Sequence, residues 1–178
     1  MVIVAIWIKL DSPGPAFFRQ TRITQYGKEF RIYKFRTMIN NADKMGLNVT
    51  VINDSRITKV GSFIRKYRID EFPQLFNVLM GDMSFVGTRP ESVRYVKCYS
   101  PEYYATLLLP AGITSEASIR YKDEEKLLNI SRDVDSIYVE KVLPNKMKWN
   151  LKSIMHYSII DEVSVLIRTI FAVIRKDH

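Results

Sequence analysis

The chain has 178 residues, 47% of them apolar, which predicts one globular domain with an ordinary core and excludes a disordered protein. One cysteine excludes an intramolecular disulfide, and two histidines exclude an ordinary His/Cys zinc site. The net charge of +8 is concentrated in residues 1–69, which carry 13 basic and 4 acidic residues. An anionic partner is therefore expected: nucleic acid, a phosphorylated small molecule or an anionic membrane surface.

The N-terminal segment Met1–Ile8 is continuously apolar and is followed by Lys9. It is shorter than the roughly 18 residues that a spanning helix needs, and it lacks the layout of a signal peptide. Two interpretations stand: a buried strand or short helix, and a stub embedded in a membrane with Trp7 at the headgroup level. Turn-forming residues at 11–15 end this element.

A β-hairpin is predicted for residues 16–38, because β-forming side chains flank a turn at residues 25–28. Residues 40–54 are polar and are predicted to form a loop with a short helix. Two helices follow, over Thr58–Arg68 and Asp70–Met80.

The start of the second helix allows two interpretations of Asp70 and Glu71. In the structural one, Asp70 is the N-cap, Glu71 lies in the first turn, and Gly81 follows the last turn. In the functional one, Asp70 keeps a low pKa and, with nearby arginines and a divalent ion, attacks a phosphorus atom to form an acyl phosphate. Mg²⁺ suits such hard oxygen ligands.

The C-terminal half is predicted to be mainly helical. Residues 91–109, 123–130 and 133–142 are predicted helices, and residues 110–121 a loop or irregular strand. The clearest pattern is the last, because apolar residues from Ile159 to Ile174 recur at helical spacing on one face. That face is interpreted either as a core contact or as a membrane contact.

The glycines form no nucleotide-binding loop, so a phosphate site would have to be built from side chains and helix ends. Cations occur in three groups, namely Lys34 with Arg36 on one face of a strand, Arg65–Lys66 with Arg68, and Arg89 between Gly87 and Pro90. Arginine binds phosphate through two parallel hydrogen bonds, so these groups together could hold a diphosphate. Each group seen alone is better explained as plain surface charge.

Several stretches of this sequence occur in the same order in a known family. They are Asp11–Phe18, Ile32–Met38, Arg56–Gly61, the 22-residue stretch Ile69–Pro90, and Gly112–Thr114. In these motifs the chain closely resembles the bacterial sugar transferases, the monotopic phosphoglycosyl transferases that start polysaccharide and glycan assembly. The resemblance runs from about Val2 to the C-terminus.

The resemblance implies a reaction. A sugar-1-phosphate passes from a nucleotide diphosphate sugar, usually a UDP-sugar, to a polyprenyl phosphate, and UMP leaves. The route runs through a covalent phosphosugar-aspartate and uses Mg²⁺. The family motif places Asp70 as the nucleophile and metal ligand, with Glu71 as its partner carboxylate.

The resemblance also implies which cations handle phosphate. It assigns this role to Arg65, Lys34, Arg36 and Arg89, and less firmly to Arg120. The Gly-Pro-Arg-Pro loop of the family reads Gly-Thr-Arg-Pro here, because Thr88 replaces the first proline. Thr88 frees one φ angle and restores a backbone N–H, so slightly looser positioning of Arg89 is expected.

Family members begin with a longer apolar helix, whereas this chain begins near its return arm. The sequence is therefore expected to lack the first membrane arm, with residues 1–10 as a remnant and residues 11–178 as the catalytic domain. The expected fold is a small, mostly helical, membrane-associated α/β (α+β) domain with a short β-hairpin and an amphipathic C-terminal helix. The expected location is the cytoplasmic face of the bacterial inner membrane, and a homodimer is allowed.

Two other functions compete with this one. The chain could be a truncated, inactive relative. It could also be a basic nucleic-acid-binding module, because aromatic and basic residues alternate over residues 30–36. The acidic pair inside the basic region and the lack of a nucleic-acid-binding motif favour the transferase, with no nucleic-acid partner.

Overall fold

Two small sheets organise the computed structural model, which describes residues 1–42, 54–122 and 134–174. One sheet is an antiparallel hairpin, and the other is a parallel pair of strands. The loop predicted for residues 40–54 lies outside the described residues except at its ends, and the helix predicted for residues 123–130 lies wholly outside them.

The described elements alternate irregularly between strands and helices. In chain order they are α1 Val2–Asp11, β1 Phe17–Ile23, β2 Glu29–Phe35, α2 Lys59–Lys66, α3 Gln74–Leu79, β3 Met83–Val86, α4 Val93–Val96, β4 Ala111–Thr114, α5 Glu116–Arg120, α6 Val134–Ile137, α7 Leu143–Met155 and α8 Ile159–Ile174. Short 3₁₀ turns cover Gln25–Gly27, Ile69–Glu71 and Pro101–Leu108, and a π-helical turn, Tyr138–Val142, joins α6 to α7. The predicted small mixed domain with a hairpin is confirmed.

The predicted hairpin is confirmed, with β1 and β2 joined at Gln25–Gly27. Tyr26 takes a left-handed conformation there, with φ of 56°. Just before the turn, the buried Thr24 hydroxyl donates to the carbonyl of Asp82 at 2.8 Å and accepts from the amide of Ala111 at 3.1 Å. This side chain fastens the hairpin to the second sheet.

A buried amide joins α3 to the open edge of β2. Asn77 accepts from the backbone N–H of Tyr33 and donates to the carbonyl of Arg31, both at 2.9 Å. The side chain therefore makes the two hydrogen bonds that a neighbouring strand would make. Because Asn77 is fully buried, α3 and the turn before it hold a fixed position against the hairpin.

The predicted N-cap role of Asp70 is wrong. A 3₁₀ turn covers Ile69–Glu71, and α3 begins only at Gln74, with Pro73 at its N-cap. If Asp70 were a cap, its N3 position would be Pro73, which has no N–H to donate. The N–H of Phe72, at N2, donates instead to the carbonyl of Ile69. Asp70 is thus left without a capping partner.

The segment predicted as a loop or irregular strand, residues 110–121, is ordered into β4 and the short helix α5. Ser115 caps α5 by accepting from the N–H of Ser118 at 3.0 Å. Five residues are too few to show a helical hydrophobic period, so this helix leaves little trace in the sequence. The predicted helix over 133–142 is confirmed from Val134 onward, and α7 extends it in a way that we did not predict.

In the described ranges, buried side chains form two larger clusters. One lies between α4, the 3₁₀ turn at Pro101–Leu108 and the α6–α7 helix, and includes Tyr95, Tyr99, Tyr138, Leu143 and Met147. The other fixes α1 against the hairpin and α2, through Ile8, Phe35, Val60 and Ile64.

The C-terminal helix α8 is confirmed, but its interpretation as a core helix is wrong. Among its apolar side chains Val165 is buried, whereas Ile159, Ile160, Val163, Ile167, Ile170 and Phe171 are exposed. Polar contacts attach α8 to the domain: Thr169 lies 2.8 Å from the Thr114 hydroxyl, and Arg168 pairs with Glu116 at 2.6 Å. Helix α1 likewise exposes Ile3, Ile6 and Leu10. Among the described helices, none is long and apolar enough to cross a bilayer.

We predict that Asn77→Leu destabilises the protein, because it leaves the Tyr33 N–H and the Arg31 carbonyl unpaired. The expected loss is about 2 kcal/mol or more in the free energy of unfolding, measured by chemical denaturation. Asn145→Leu, an exposed position on α7, is the control and should change stability by less than about 0.5 kcal/mol. Equal stability of the two variants would contradict the strand-like role of Asn77.

Candidate active site

Two adjacent carboxylates, Asp70 and Glu71, lie in very different surroundings. Glu71 is enclosed by cations: Arg89 bonds both of its carboxylate oxygens, Lys34 Nζ lies 3.6 Å from Oε1, and Arg68 Nη1 lies 4.0 Å from it. Burial raises the pKa of Glu71, but the charges of Arg89 and Lys34 outweigh that effect and hold the pKa well below its usual range. Glu71 is therefore ionised and fixed at neutral pH.

Asp70 is buried, at 7% exposure, and its Oδ1 has no hydrogen-bond partner among the described residues. Burial raises its pKa, the neighbouring charge of Glu71 raises it further, and the charges of Lys34, Arg65 and Arg68 oppose the shift. The low pKa expected for a helix-capping aspartate is thus wrong. The physical reason is that the carboxylate is desolvated without being bonded.

A buried, lightly solvated carboxylate is equipped to be a nucleophile. Solvating hydrogen bonds would have to break before such an oxygen could attack, and here the protein has already removed them. Among the surrounding cations, Lys34, Arg65 and Arg68 oppose the rise in the pKa of Asp70 and so favour its charged form. The arrangement can therefore support a reaction in which Glu71 organises positive charge and Asp70 reacts.

The structure brings three of the five predicted phosphate-handling cations to the acidic pair. Lys34 and Arg89 contact Glu71, and Arg65, at the end of α2, is close enough for its charge to lower the pKa of Asp70. Burial lowers the pKa of Lys34 to about 8, although the attraction of Glu71 opposes that shift. Arg68, which the sequence placed in a cation group and to which the resemblance gave no role, also lies near Glu71.

Arg36 and Arg120 lie elsewhere. Arg36 is buried and donates to the carbonyls of Ser12 and Pro13, at 2.7 and 2.8 Å, so it holds the turn after α1. Its predicted alignment with Lys34 fails because β2 ends at Phe35 and the strand period no longer applies beyond it. Arg120 pairs with Glu116 at 2.7 Å and lies over the Trp149 ring, 3.7 Å from the centroid to Cζ.

The loop that carries Arg89 is fixed by a close approach of two backbones. The N–H of Gly112 donates to the Thr88 carbonyl at 2.9 Å, and that of Gly87 to the Thr114 carbonyl at 3.0 Å. A Cβ on Gly112 would lie 2.2 Å from the Gly87 nitrogen, so no side chain fits there. Arg89 itself donates to the Ile113 carbonyl at 3.2 Å. The guanidinium therefore has a defined position before it meets Glu71.

A buried network lies directly behind this loop, at Glu91. The Tyr138 hydroxyl donates to Glu91 Oε1 at 2.6 Å, and Lys146 Nζ lies 3.0 Å from the hydroxyl and 3.4 Å from the same oxygen. Burial raises the pKa of Glu91, but Lys146 and Arg22 outweigh it and lower the pKa. Arg22 also donates to the Pro90 carbonyl at 3.4 Å. The sequence offers no local pattern that would have connected these residues.

Comparison with known proteins identifies the family. Residues 1–176 match the family described as bacterial sugar transferase. The chain belongs to the bacterial sugar transferase family. This confirms the resemblance carried by the motifs at the hairpin, at the acidic pair and at the Arg89 loop.

Three relatives illustrate the family. A UDP-N-acetylgalactosamine-undecaprenyl-phosphate N-acetylgalactosaminephosphotransferase of Aeromonas hydrophila is 44% identical over 67% of this chain and 29% of the relative. UDP-glucose:undecaprenyl-phosphate glucose-1-phosphate transferases of Caulobacter vibrioides and Escherichia coli are 45% and 35% identical, over 67% and 94% of this chain. The chain covers 46% and 34% of those two relatives, so it corresponds to less than half of each.

The donor set at Asp70 fits a magnesium ion that takes most of its ligands from elsewhere. Within the described ranges, no group of three or more His, Cys, Asp or Glu side chains could enclose a metal. The Asp70 carboxylate offers a hard oxygen ligand, and no ion pair to this carboxylate occurs among the described residues. Mg²⁺ is commonly held by one or two carboxylates together with substrate phosphates and water, and this arrangement is compatible with that mode.

We predict that Lys146→Met costs roughly 3–5 kcal/mol of stability, because it leaves the buried Glu91 carboxylate without its nearest cation. The free energy of unfolding, from urea denaturation, measures the effect. Lys148→Met, an exposed position on the same helix, is the matched control and should lie within about 0.5 kcal/mol of wild type. A Lys146→Met variant as stable as this control would show that the network does not support the loop.

Proposed function

We propose that this chain transfers a sugar-1-phosphate from a UDP-sugar to a polyprenyl phosphate and so initiates polysaccharide or glycan biosynthesis. The reaction runs through a covalent phosphosugar on Asp70 and releases UMP. The observation that carries the proposal is the buried Asp70 oxygen without a partner, beside a glutamate fixed by Arg89 and Lys34. The names of the relatives supply the two substrate classes.

In the first step, a carboxylate oxygen of Asp70 attacks the phosphorus that bears the sugar. A new P–O bond forms to Asp70, the P–O bond to UMP breaks, and UMP leaves with the bonding electron pair. Phosphoryl transfer depends mainly on positioning and charge neutralisation. Lys34, Arg65 and Arg89 lie around the pair and supply positive charge for the diphosphate.

Glu71 acts through the cations that it holds. Because its pKa is held well below the usual range, Glu71 stays charged across the physiological pH range and keeps Arg89 and Lys34 in place. Asp70 is the residue that would hold Mg²⁺, together with the diphosphate. When bound, Mg²⁺ supplies further neutralisation of the phosphate oxygens.

In the second step, a phosphate oxygen of the polyprenyl phosphate attacks the same phosphorus. The bond to Asp70 breaks, the carboxylate is restored, and the product is a polyprenyl diphosphate sugar. An open apolar groove of about 920 Å³ between α1, β1 and α3 supports a lipid acceptor. It is lined by Ala5, Ile6, Phe17, Phe18 and Phe76, with Lys9 and Arg19 also on its lining.

The exposed apolar faces of α1 and α8 support a location at a membrane surface. We place the chain at the cytoplasmic face of the bacterial inner membrane, because nucleotide sugars are made in the cytoplasm. The basic residues 1–69 fit the anionic surface of that leaflet. The names of the relatives differ in their sugar, so the proposal leaves the sugar open.

We predict that the protein in lipid nanodiscs, given Mg²⁺ and a UDP-sugar labelled on the sugar-bearing phosphate, releases UMP and retains the label. Without the acceptor, the rapid initial labelling should approach one label per chain. Adding polyprenyl phosphate should then remove the label from the protein. Asp70→Asn should reduce labelling at least about a thousandfold, because the nucleophile is gone. Asp161→Asn, an exposed position on α8, should label like wild type. Full labelling of Asp70→Asn would exclude Asp70 as the nucleophile.

We predict that the transfer rate falls as the pH rises through about 8, because Lys34 loses its proton there and its charge no longer serves the diphosphate. Lys34→Arg should move this fall to a much higher pH, since a guanidinium keeps its proton throughout the measured range. Initial rates between pH 6 and about 10 measure the shift, with Lys148→Arg as the surface control. An unmoved alkaline limb in Lys34→Arg would assign the titration to another group.

A further inference from the structure

Gln74 is a buried polar residue that the proposed mechanism does not use. Its side chain is fully buried, at 0% exposure, and neither Oε1 nor Nε2 has a hydrogen-bond partner in the part of the chain that the structure describes. Exchanging the two amide atoms would not change this, because both are unpartnered. More than about nine in ten buried polar groups find a partner, so this amide calls for an explanation.

The same helix shows what a structural amide looks like. Asn77, three residues further on and equally buried, makes two hydrogen bonds at 2.9 Å that hold α3 against β2. Gln74 makes no comparable bond among the described residues. A methionine, which has the same length, would therefore pack in this position as well as Gln74 does. A role outside the packing of the fold is the better explanation.

The position of Gln74 points to Asp70. Residues 69–71 form a helical turn, Phe72 and Pro73 keep helical angles, and α3 follows directly, so Gln74 lies one turn after Asp70. Helical side chains lean toward the start of their helix and cover the residue three or four positions earlier. Asp70 Oδ1 is also buried and unpartnered. Two unused groups therefore lie on one face of the same short helical run.

We propose that Gln74 is a positioning residue for the transfer, whose Nε2 donates a hydrogen bond to the Asp70 carboxylate in the reacting arrangement. The direction follows from chemistry, because an ionised carboxylate only accepts and Nε2 is the donor of the amide. The structure shows the two groups unbonded, and catalytic hydrogen bonds commonly tighten only when the substrate is seated. The bond would hold one carboxylate oxygen so that the other faces the phosphorus. This inference rests on the proposed function.

The test compares Gln74→Met, which keeps the size of the side chain and removes its polar atoms, with wild type in nanodiscs. The control is Gln25→Met, at the hairpin turn. Three quantities are measured: the single-turnover rate of label transfer to the protein, the KM for the UDP-sugar, and the melting temperature. We expect the Gln74→Met rate to fall roughly ten- to a hundredfold with KM within about twofold of wild type. Its melting temperature should not fall, because an apolar group replaces an unbonded amide.

Each outcome decides the matter. A Gln74→Met rate equal to wild type would overturn the inference, while the proposed function would stand on the labelling of wild type. A wild-type protein that takes no label would overturn both. If Gln74→Met fails to fold, Gln74→Leu removes the same polar atoms with a smaller apolar side chain. Full activity of that variant would overturn the inference, and slow labelling at unchanged KM would support it.

Discussion

The ion pair between Glu71 and Arg89 is the contact on which the arrangement of the site depends. It joins the turn before α3 to the loop after β3, and Lys34 extends it to the hairpin. Three distant parts of the chain therefore meet at one carboxylate. Removing one member of this partly buried pair would leave the remaining charge without compensation and so destabilise the fold. The same ion pair therefore both organises the charges of the site and stabilises the fold.

Local pattern was sufficient for the hairpin and for the helices at α2 and α8, because alternation, turn residues and helical period are properties of neighbouring residues. Local pattern did not predict which neighbour, if any, packs against each apolar face. The apolar stripe of α8 was visible in the sequence, yet most of it is exposed, since a period identifies a face and says nothing about its neighbour. The N-cap prediction failed on a single residue, because Pro73 removes the donor that a cap requires.

The candidate site likewise contains residues that the sequence identifies and residues that it does not. The sequence singles out Asp70 and Glu71, and the structure brings Lys34, Arg65 and Arg89 close to them, while their roles stay predictions. Arg36 and Arg120 were placed there by motif and spacing, but their partners lie in the turn after α1 and on α5. The network behind the Arg89 loop and the unbonded amide in α3 had no local signal, because both are defined by residues that meet only after folding.

The contact between Gly87 and Gly112 has a consequence for how this loop tolerates sequence change. Its hydrogen bond at position 88 uses the carbonyl oxygen of Thr88, which every residue possesses, proline included. Exchange between threonine and proline at that position therefore leaves the backbone clasp intact. A Cβ at position 87 or 112 would collide with main-chain atoms of the other segment. Substitutions in this loop are therefore tolerated at position 88 and excluded at positions 87 and 112, where the two backbone segments touch.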